Sequence, residues 1–340
     1  MVYGDEFQNG RFFYQKLSAN EKAVYDALYR GIPQRKLRFQ VGVKDANLSK
    51  VIRAFLSDHP EIYWIADWNL LYTENEIWFR NPSPYLYSAE KCLEFERHLA
   101  NIVDCFRIYD DDFEKELAVH HYLTRRVKFD HAEVEGRKPF QAENHNIIGP
   151  LIYGVGVCEG IAKACQYLLE RIGVTCLLVN GESRSFRGER PMGHAWNIVK
   201  IHNFFYHLDT SHDLCLSEGS SVPQYHYFNL TDADILCDHR FSPSDYEGIV
   251  CHSCLDNYYK KYGMYFEDEE QLTDALKKEL KVPLLPRGYK RMTFKVSRTF
   301  PSDDAIFRLI HRVCHDRYVF SVSVAELQRI YSVTFQFCGE

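Results

Sequence analysis

The stretch GVGVCEGIAKACQYLLERIG, residues 154–173, decides the fold. Its apolar residues recur at the spacing of one helix face, and they are Ile161, Ala164, Cys165, Leu168, Leu169 and Ile172. Gly173 is placed to end this helix, because glycine readily adopts the left-handed conformation of a helix C-terminus. The glycine-punctuated GVG segment precedes the helix. The stretch therefore predicts a helix whose first turn carries Cys158.

Cys158 differs from the other cysteines in its position. A thiol in the first turn of a helix lies near unpaired backbone N–H groups and the positive end of the helix dipole, which favour the thiolate. The same N–H groups can bind a developing oxyanion. The chain has 11 cysteines, and for most of them a small buried apolar side chain is the simpler interpretation. Cys158 is the candidate nucleophile.

A cysteine nucleophile needs a base and a group that orients the base. Residues 193–210 read GHAWNIVKIHNFFYHLDT, in which two β-rich runs flank the dipeptide 202–203. This pattern predicts a β-hairpin. If the dipeptide is the turn, Ile201 pairs with Phe204, and the register of the whole hairpin follows.

In this register Trp196 lies opposite Asp209, and Asp209 becomes the diagonal neighbour of His194 on the same face of the sheet. Such diagonal neighbours have Cα atoms about 7–8 Å apart, within reach of a carboxylate–imidazole hydrogen bond. A turn one residue longer or shorter would place the two side chains on opposite faces. We therefore predict His194 as the base and Asp209 as its orienting carboxylate.

Three further residues of this region are possible members of the site. His207 shares the face of Asp209, but we interpret it as an edge or core histidine. His212 follows the strand, and we expect it to meet solvent. Trp196 is more often a core residue, although it could wall the site and exclude water.

Together these motifs resemble the transglutaminase-like superfamily. The matching segments are GVGVCEGIAKACQYLLERIGV, GHAW before a strand, and FFYHLDTSHD. The upstream FEKELAVHHYLTRRVKFD resembles the lead-in helix of that family, and YHYFNLTDADILCDHRF resembles the segment that follows the core in bacterial members. The resemblance covers about residues 90–245.

The resemblance implies an α+β fold with a papain-like core, in which a helix bearing the cysteine packs on an antiparallel sheet. It implies Cys158 as nucleophile, His194 as general acid/base and Asp209 as orienting carboxylate. Animal members use an aromatic residue ahead of the cysteine, usually Trp, to bind the oxyanion. No Trp occurs at 130–158, so Tyr153 is a candidate substitute, beside the backbone N–H of Cys158 itself.

The 340 residues divide into three predicted regions. Residues 1–95 form an N-terminal α+β module, 96–248 the catalytic core, and 249–340 a C-terminal α/β appendage. The N-terminal pattern predicts a helix capped by Ser18, a helix from Asp45, and β-strands at 61–65 and 76–79. The appendage is predicted as helices at 269–280 and 302–314 with strands at 292–296, 318–322 and 333–337.

Composition narrows the class of partners. The net charge of −6 and the pI near 6.2 give no electrostatic reason to expect nucleic acid or an acidic membrane surface. The longest nearly apolar run, 147–158, is about 12 residues, whereas a membrane span needs about 20. The first residues lack the pattern of a secretory signal. We expect a cytoplasmic protein with reduced thiols and no metal or other cofactor, acting on a protein or peptide; the oligomeric state stays open.

The implied chemistry is acyl transfer on amide bonds through a thioester at Cys158. If water accepts the acyl group from the thioester, the protein is a peptidase, isopeptidase or amidase. If an amine accepts it, the protein is a transglutaminase. Hydrolysis is preferred, since bacterial members of the family are commonly regarded as protease-like. We expect the polar loops at 130–146 and 181–192 to flank the cleft and govern access.

Two other classes remain. In one, the domain is a non-catalytic scaffold or protein-interaction module of the kind found in cytokinesis-related and cytoskeletal proteins, although an intact triad argues against it. The other, a zinc-dependent hydrolase, fails for lack of a complete ligand set. Cys251 and Cys254 form a lone C-x-x-C that Cys237 and His239 could complete on paper, but without a second C-x-x-C we interpret these as ordinary thiols.

Overall fold

The computed structural model describes residues 11–184, 190–219, 222–281, 288–314 and 318–337. Its α-helices are α1 (Phe12–Gln15), α2 (Ala19–Gly31), α3 (Leu48–Asp58), α4 (Ala89–Asp104), α5 (Asp112–Arg126), α6 (His131–Val134), α7 (Cys158–Arg171), α8 (Thr210–Ser217), α9 (Asp232–Ile235), α10 (Tyr258–Lys261), α11 (Glu269–Lys281) and α12 (Asp303–Cys314). Short 3₁₀ helices span Ala142–His145 and Pro243–Tyr246, and one π-helical turn spans Gly149–Tyr153.

Within the described ranges, the strands form four small sheets. They are β1 (Arg38–Gln40), β2 (Leu70–Tyr72), β3 (Glu76–Phe79), β4 (Lys128–Phe129), β5 (Val155–Gly156), β6 (Cys176–Arg184), β7 (Pro191–Ile201), β8 (Phe204–Leu208), β9 (His239–Arg240), β10 (Tyr265–Phe266), β11 (Tyr289–Val296), β12 (Tyr318–Ala325) and β13 (Ile330–Phe337). This mixture of helices and mostly antiparallel strands confirms the α+β class; the papain-like arrangement stays a prediction.

The sheet that positions the site has the strand order β8-β7-β6-β9, and every neighbouring pair is antiparallel. The β7–β8 hairpin has the predicted register, since Ile201 pairs with Phe204 and Asn197 with Leu208. His202 lies in the turn with φ +52°, a conformation that tight hairpin turns require. The position of the turn in the sequence therefore predicts correctly which residues of β7 and β8 have side chains on the same face of the sheet.

Helix α7 packs on β6 and β7. Its predicted apolar face is buried, and Gly173 follows its end with φ +87°. The amide of Asn197 on β7 donates to the backbone oxygen of Ala162 at 3.0 Å, which ties helix to sheet. A Cβ on Gly160 would lie 2.2 Å from the backbone oxygen of Asn144. Glycine at this position therefore lets the segment before the helix pass close to its first turn.

The N-terminal residues add α2 and α3 beside the sheet of order β1-β3-β2. Ser18 caps α2 in a capping box with Glu21, as the sequence predicts for this residue type. The helix predicted from Asp45 begins at Leu48, with Asn47 as its cap. The strand predicted at 61–65 was wrong, because in this segment only Ile65 forms a bridge, to Tyr85.

The C-terminal residues place α11 and α12 against the sheet of order β10-β11-β13-β12. All five predicted elements of this region are present within a few residues of their predicted bounds. Phe266, Leu276, Phe294 and Ile310 belong to a hydrophobic cluster of this region alone. Buried residues of the N-terminal region instead share a cluster with many of the middle region, and this cluster also includes Tyr259 and Ile330. The boundaries at 95 and 248 stay predictions.

None of the helices in the described residues is long and apolar enough to cross a membrane.

Candidate active site

A cleft of about 890 Å³ lies where the N-terminus of α7 meets β6 and β7. Cys158 and His194 both line this cleft. The rest of its lining is largely apolar and includes Phe129, Val134, Val157, Met192 and Ala195. Both segments predicted as access loops line the cleft, the first through residues such as His145 and the second through Gly181, Ser183 and Met192. Residues 181–184 and 191–192 of the second segment extend β6 and β7 rather than forming a loop, and residues 185–189 lie outside the described part of the chain.

Cys158 is the first residue of α7 and is partly exposed. Its thiol therefore lies at the end of a helix where backbone N–H groups point outward without helical partners. The Cys158 side chain lies beside the imidazole of His194 and contributes to the raised pKa of that ring. Since Nε2 of His194 is taken up by Asp209, the Nδ1 side of the ring is left to face the sulfur.

Asp209 lies where β8 ends and α8 begins, and its side chain caps α8. Nε2 of His194 donates to Oδ2 of Asp209 at 2.6 Å. The other oxygen, Oδ1, accepts from the Ser211 hydroxyl at 2.7 Å and from the backbone N–H of His212 at 3.0 Å. Both oxygens of this fully buried carboxylate are thus held by donors.

The electrostatics of His194 follow from this arrangement. Burial disfavours the charged imidazolium, but the adjacent Asp209 carboxylate more than offsets it, and the pKa of His194 is raised. Burial likewise opposes ionisation of Asp209, yet the neighbouring His212 and His194 hold the pKa of its carboxyl well below its usual range. An imidazole that gains a proton readily, beside an ionised carboxylate, suits a general acid/base.

Trp196 supports the ring of His194 from the interior. The two rings stack with centroids 5.9 Å apart and an interplanar angle of 19°. Trp196 is buried, and its Nε1–H donates to Nδ1 of His207 at 3.1 Å. His207 is also buried, and its Nε2 lies 2.9 Å from Oδ1 of Asp232. Because Nδ1 accepts from Trp196 and Nε2 donates to Asp232, both nitrogens of His207 are engaged away from the cleft.

The structure does not bring Tyr153 to the cleft. Its side chain is 54% exposed at the end of the π-helical turn. Its ring packs edge-on against Phe95, with centroids 6.4 Å apart. The backbone N–H at the start of α7 is therefore the better-placed of the two oxyanion donors suggested by the sequence.

Sequence reasoning did not place His212 and His239 beside Asp209. The expectation that His212 meets solvent was wrong: the chain turns into α8 at Asp209, which buries His212 with Nδ1 2.6 Å from Oδ2 of Asp209. His239, on β9, brings Nε2 to within 3.0 Å of the same oxygen. The helix start after Asp209 was a readable signal for His212, whereas His239 comes from a separate strand.

Several of these groups could hold a metal. Within the described residues, His194, Asp209, His212 and His239 place one potential ligand atom each within 4.8 Å of one another. Three imidazole nitrogens and a carboxylate oxygen form a donor set that suits Zn²⁺. Such an ion would occupy the atoms through which Asp209 orients His194. The contacts to Asp209, 2.6–3.0 Å, have hydrogen-bond lengths.

The cysteine-based zinc site considered from the sequence is arranged differently. His239 is held between the carboxylates of Asp238 and Asp209. Cys251 instead lies in a group with His207 and Asp232. Burial raises the pKa of the Cys251 thiol, which disfavours the thiolate that a metal would need.

Residues 103–210 match the family model of the transglutaminase-like superfamily. The match includes Cys158, His194 and Asp209. For this segment the match confirms the resemblance to the transglutaminase-like superfamily seen in the sequence.

The solved structures and curated proteins add little to this assignment. A structure described as "Crystal structure of a TGase" is similar at 10% sequence identity and a TM-score of 0.32, over 42% of this chain and 43% of that chain. The match thus spans less than half of that structure's chain. Among curated proteins no relative matches.

Proposed function

We propose that the protein catalyses acyl transfer on amide bonds through a thioester. The sulfur of Cys158 attacks the carbonyl carbon, and the thiol proton passes to His194. His194 then protonates the leaving amine as the carbon–nitrogen bond breaks, which leaves the acyl group on Cys158. Asp209 keeps Nε2 of His194 protonated throughout, so that Nδ1 is the nitrogen that exchanges the proton.

The observation that carries this proposal is the chain of contacts Cys158–His194–Asp209 within an open cleft. A nucleophile, a base and an orienter within hydrogen-bond reach form the arrangement that covalent catalysis requires. The cleft adds access, because the thiol is partly exposed. A buried thiol or one remote from an imidazole would have favoured a scaffold.

Stabilisation of the oxyanion is assigned to the backbone N–H at the start of α7. Helix N-termini present unpaired N–H groups and a positive dipole end, which suit a developing negative oxygen. This group lies beside the sulfur by virtue of chain geometry alone. No side chain is required for the role.

Water is the acceptor that the site favours. An amine acceptor succeeds when the enzyme keeps water from the thioester, and this cleft is open at a partly exposed thiol. We therefore propose hydrolysis of a peptide, isopeptide or side-chain amide as the principal reaction. Amine transfer shares its first half-reaction, and the protein or peptide substrate would lie along the apolar lining of the cleft.

The test is product analysis by mass spectrometry after incubation with a diverse peptide pool, with and without a biotinylated primary amine. Hydrolysis gives new termini or conversion of side-chain amides to acids, whereas transamidation gives biotin adducts. Cys158→Ala should abolish every product. Cys105→Ala, which removes an exposed thiol elsewhere, should leave them unchanged.

Absence of any Cys158-dependent product across the pool would count against catalysis. A non-catalytic, partner-binding role for the domain would then be the better account.

A further inference from the structure

A second histidine–aspartate pair lies directly behind Asp209. Nε2 of His239 is 3.0 Å from Oδ2 of Asp209, and Nδ1 of His239 is 2.6 Å from Oδ1 of Asp238. His239 is completely buried. Both ring nitrogens thus face carboxylate oxygens, which only accept hydrogen bonds. Both contacts are satisfied only when each nitrogen carries a proton, so the ring is an imidazolium.

Asp238 is itself held from the far side. Its Oδ2 accepts a hydrogen bond from the Tyr227 hydroxyl at 2.6 Å and from Nε2 of Gln328 at 2.8 Å. The same Gln328 nitrogen lies 2.8 Å from the Tyr227 oxygen. Asp238 is therefore fixed by donors on both of its oxygens. It cannot rotate without breaking several buried hydrogen bonds.

Gln328 belongs to the turn that joins β12 to β13 in the C-terminal region. Tight turns usually lie on the surface, but this side chain is only 5% exposed. Arg298 anchors the turn, because it donates to the backbone oxygen of Leu327 at 3.1 Å and to Oδ1 of Asp234 at 2.9 Å. The turn is thereby docked on α9, close to the strand that carries His239.

We propose that Gln328, Asp238 and His239 form a positioning unit that holds Asp209 in the orientation in which it binds His194. The inference rests on the proposed function, because it assigns a role toward the same triad. It also gives the C-terminal region a role: its β12–β13 turn completes the support of the catalytic residues. None of the three residues touches the cleft, so they act through Asp209.

A loosened Asp209 should weaken the His194–Asp209 bond and lower the share of Cys158 present as a thiolate–imidazolium pair. The titratable groups that face His194 are Cys158, Asp209, His212 and His239. The effect should be confined to lower pH. Above the ordinary thiol pKa of about 8.5, a thiol needs no imidazolium to be mostly ionised, so the rates should converge there.

The experiment measures the rate of iodoacetamide reaction at Cys158 from pH 5.5 to 9.5 in the whole 340-residue chain. Gln328→Ala should slow the reaction at pH 6.5 by about tenfold, the size expected for one lost buried hydrogen bond, and converge with wild type at pH 9.5. Gln336→Ala, an exposed glutamine on β13, should match wild type throughout.

Tyr227→Phe is a second variant with the same expectation, because it removes another donor to Asp238. Its matched control is Tyr331→Phe, which removes a hydroxyl bonded to Asp303 at 2.5 Å within the C-terminal region. Wild-type rates at every pH in folded Gln328→Ala and Tyr227→Phe would overturn the proposal. Equal slowing at all pH values would also overturn it, since that pattern reflects general damage.

A failure of the proposed function is recognisable separately. In that case iodoacetamide would react with Cys158 at the same rate in wild type and in a variant that lacks the His194 imidazole. The titration of the His194 ring, followed by NMR, then still decides the positioning role: Gln328→Ala should lower the pKa of His194, and an unchanged titration would refute the role.

Discussion

Replacing His239 with glutamine should change how folding stability depends on pH. His239 lies between two carboxylates; burial lowers its pKa, but hydrogen bonds to Asp209 and Asp238 outweigh that and raise it to about 9. In the unfolded chain a histidine titrates near 6.5. Because the folded pKa is the higher one, the proton stabilises the fold fully below pH 6.5, and this stabilisation is lost as pH rises through 9.

The size follows from the gap between the two pKa values. At about 1.4 kcal/mol per pKa unit, the bound proton contributes on the order of 3 kcal/mol to the free energy of unfolding. Urea unfolding of wild type and His239→Gln at pH 6 and at pH 9.5 measures this. The variant should be the less stable protein at pH 6, and the difference should narrow by about 3 kcal/mol at pH 9.5.

Buried thiols and other groups also titrate over this range, but they are common to both proteins and cancel in the difference. His98→Gln, at an exposed position on α4, is the matched control and should follow the wild-type curve. A stability difference for His239→Gln that stays constant from pH 6 to 9.5 would refute the assignment of a buried imidazolium.

Two further predictions concern α7. Leu168→Ala, at a fully buried position, should lower the free energy of unfolding by about 2–5 kcal/mol in urea titrations, because a cavity replaces packed methyl groups. Leu255→Ala, at a 58% exposed position, should change it by less than about 0.5 kcal/mol. Gly160→Ala should lower the thermal midpoint although alanine favours helix, because its Cβ would clash with the backbone oxygen of Asn144. Gly42→Ala, where a Cβ meets nothing within 4 Å, should not lower it, and equal midpoints for the two variants would contradict this explanation.

The parts of the site that sequence could predict are those set by local periodicity. The hairpin turn fixed which residues of β7 and β8 face each other, and this placed Asp209 within reach of His194. Helical spacing likewise placed Cys158 at the start of α7. Both inferences depend on contacts between residues close in sequence, where a turn or a helix leaves few alternatives.

The support behind the triad could not be predicted in this way. His239 reaches Asp209 from β9, and Gln328 reaches Asp238 from a turn in the C-terminal region. Neither contact leaves a periodic signal, because it depends on how distant elements pack. The strand prediction at 61–65 was wrong for a related reason: the four consecutive apolar residues at 62–65 are buried, but only Ile65 pairs, in a single bridge to Tyr85.

The most direct test of the central claim is iodoacetamide labelling of Cys158 at pH 6.5, located by mass spectrometry, in wild type and His194→Ala. Only about 1% of an ordinary thiol is ionised at that pH. Activation by His194 predicts that Cys158 labels at least about tenfold faster than the exposed Cys105 and loses this advantage in His194→Ala. If Cys158 labels no faster than Cys105 and does not respond to the loss of His194, the thiol is not activated and the catalytic account is wrong.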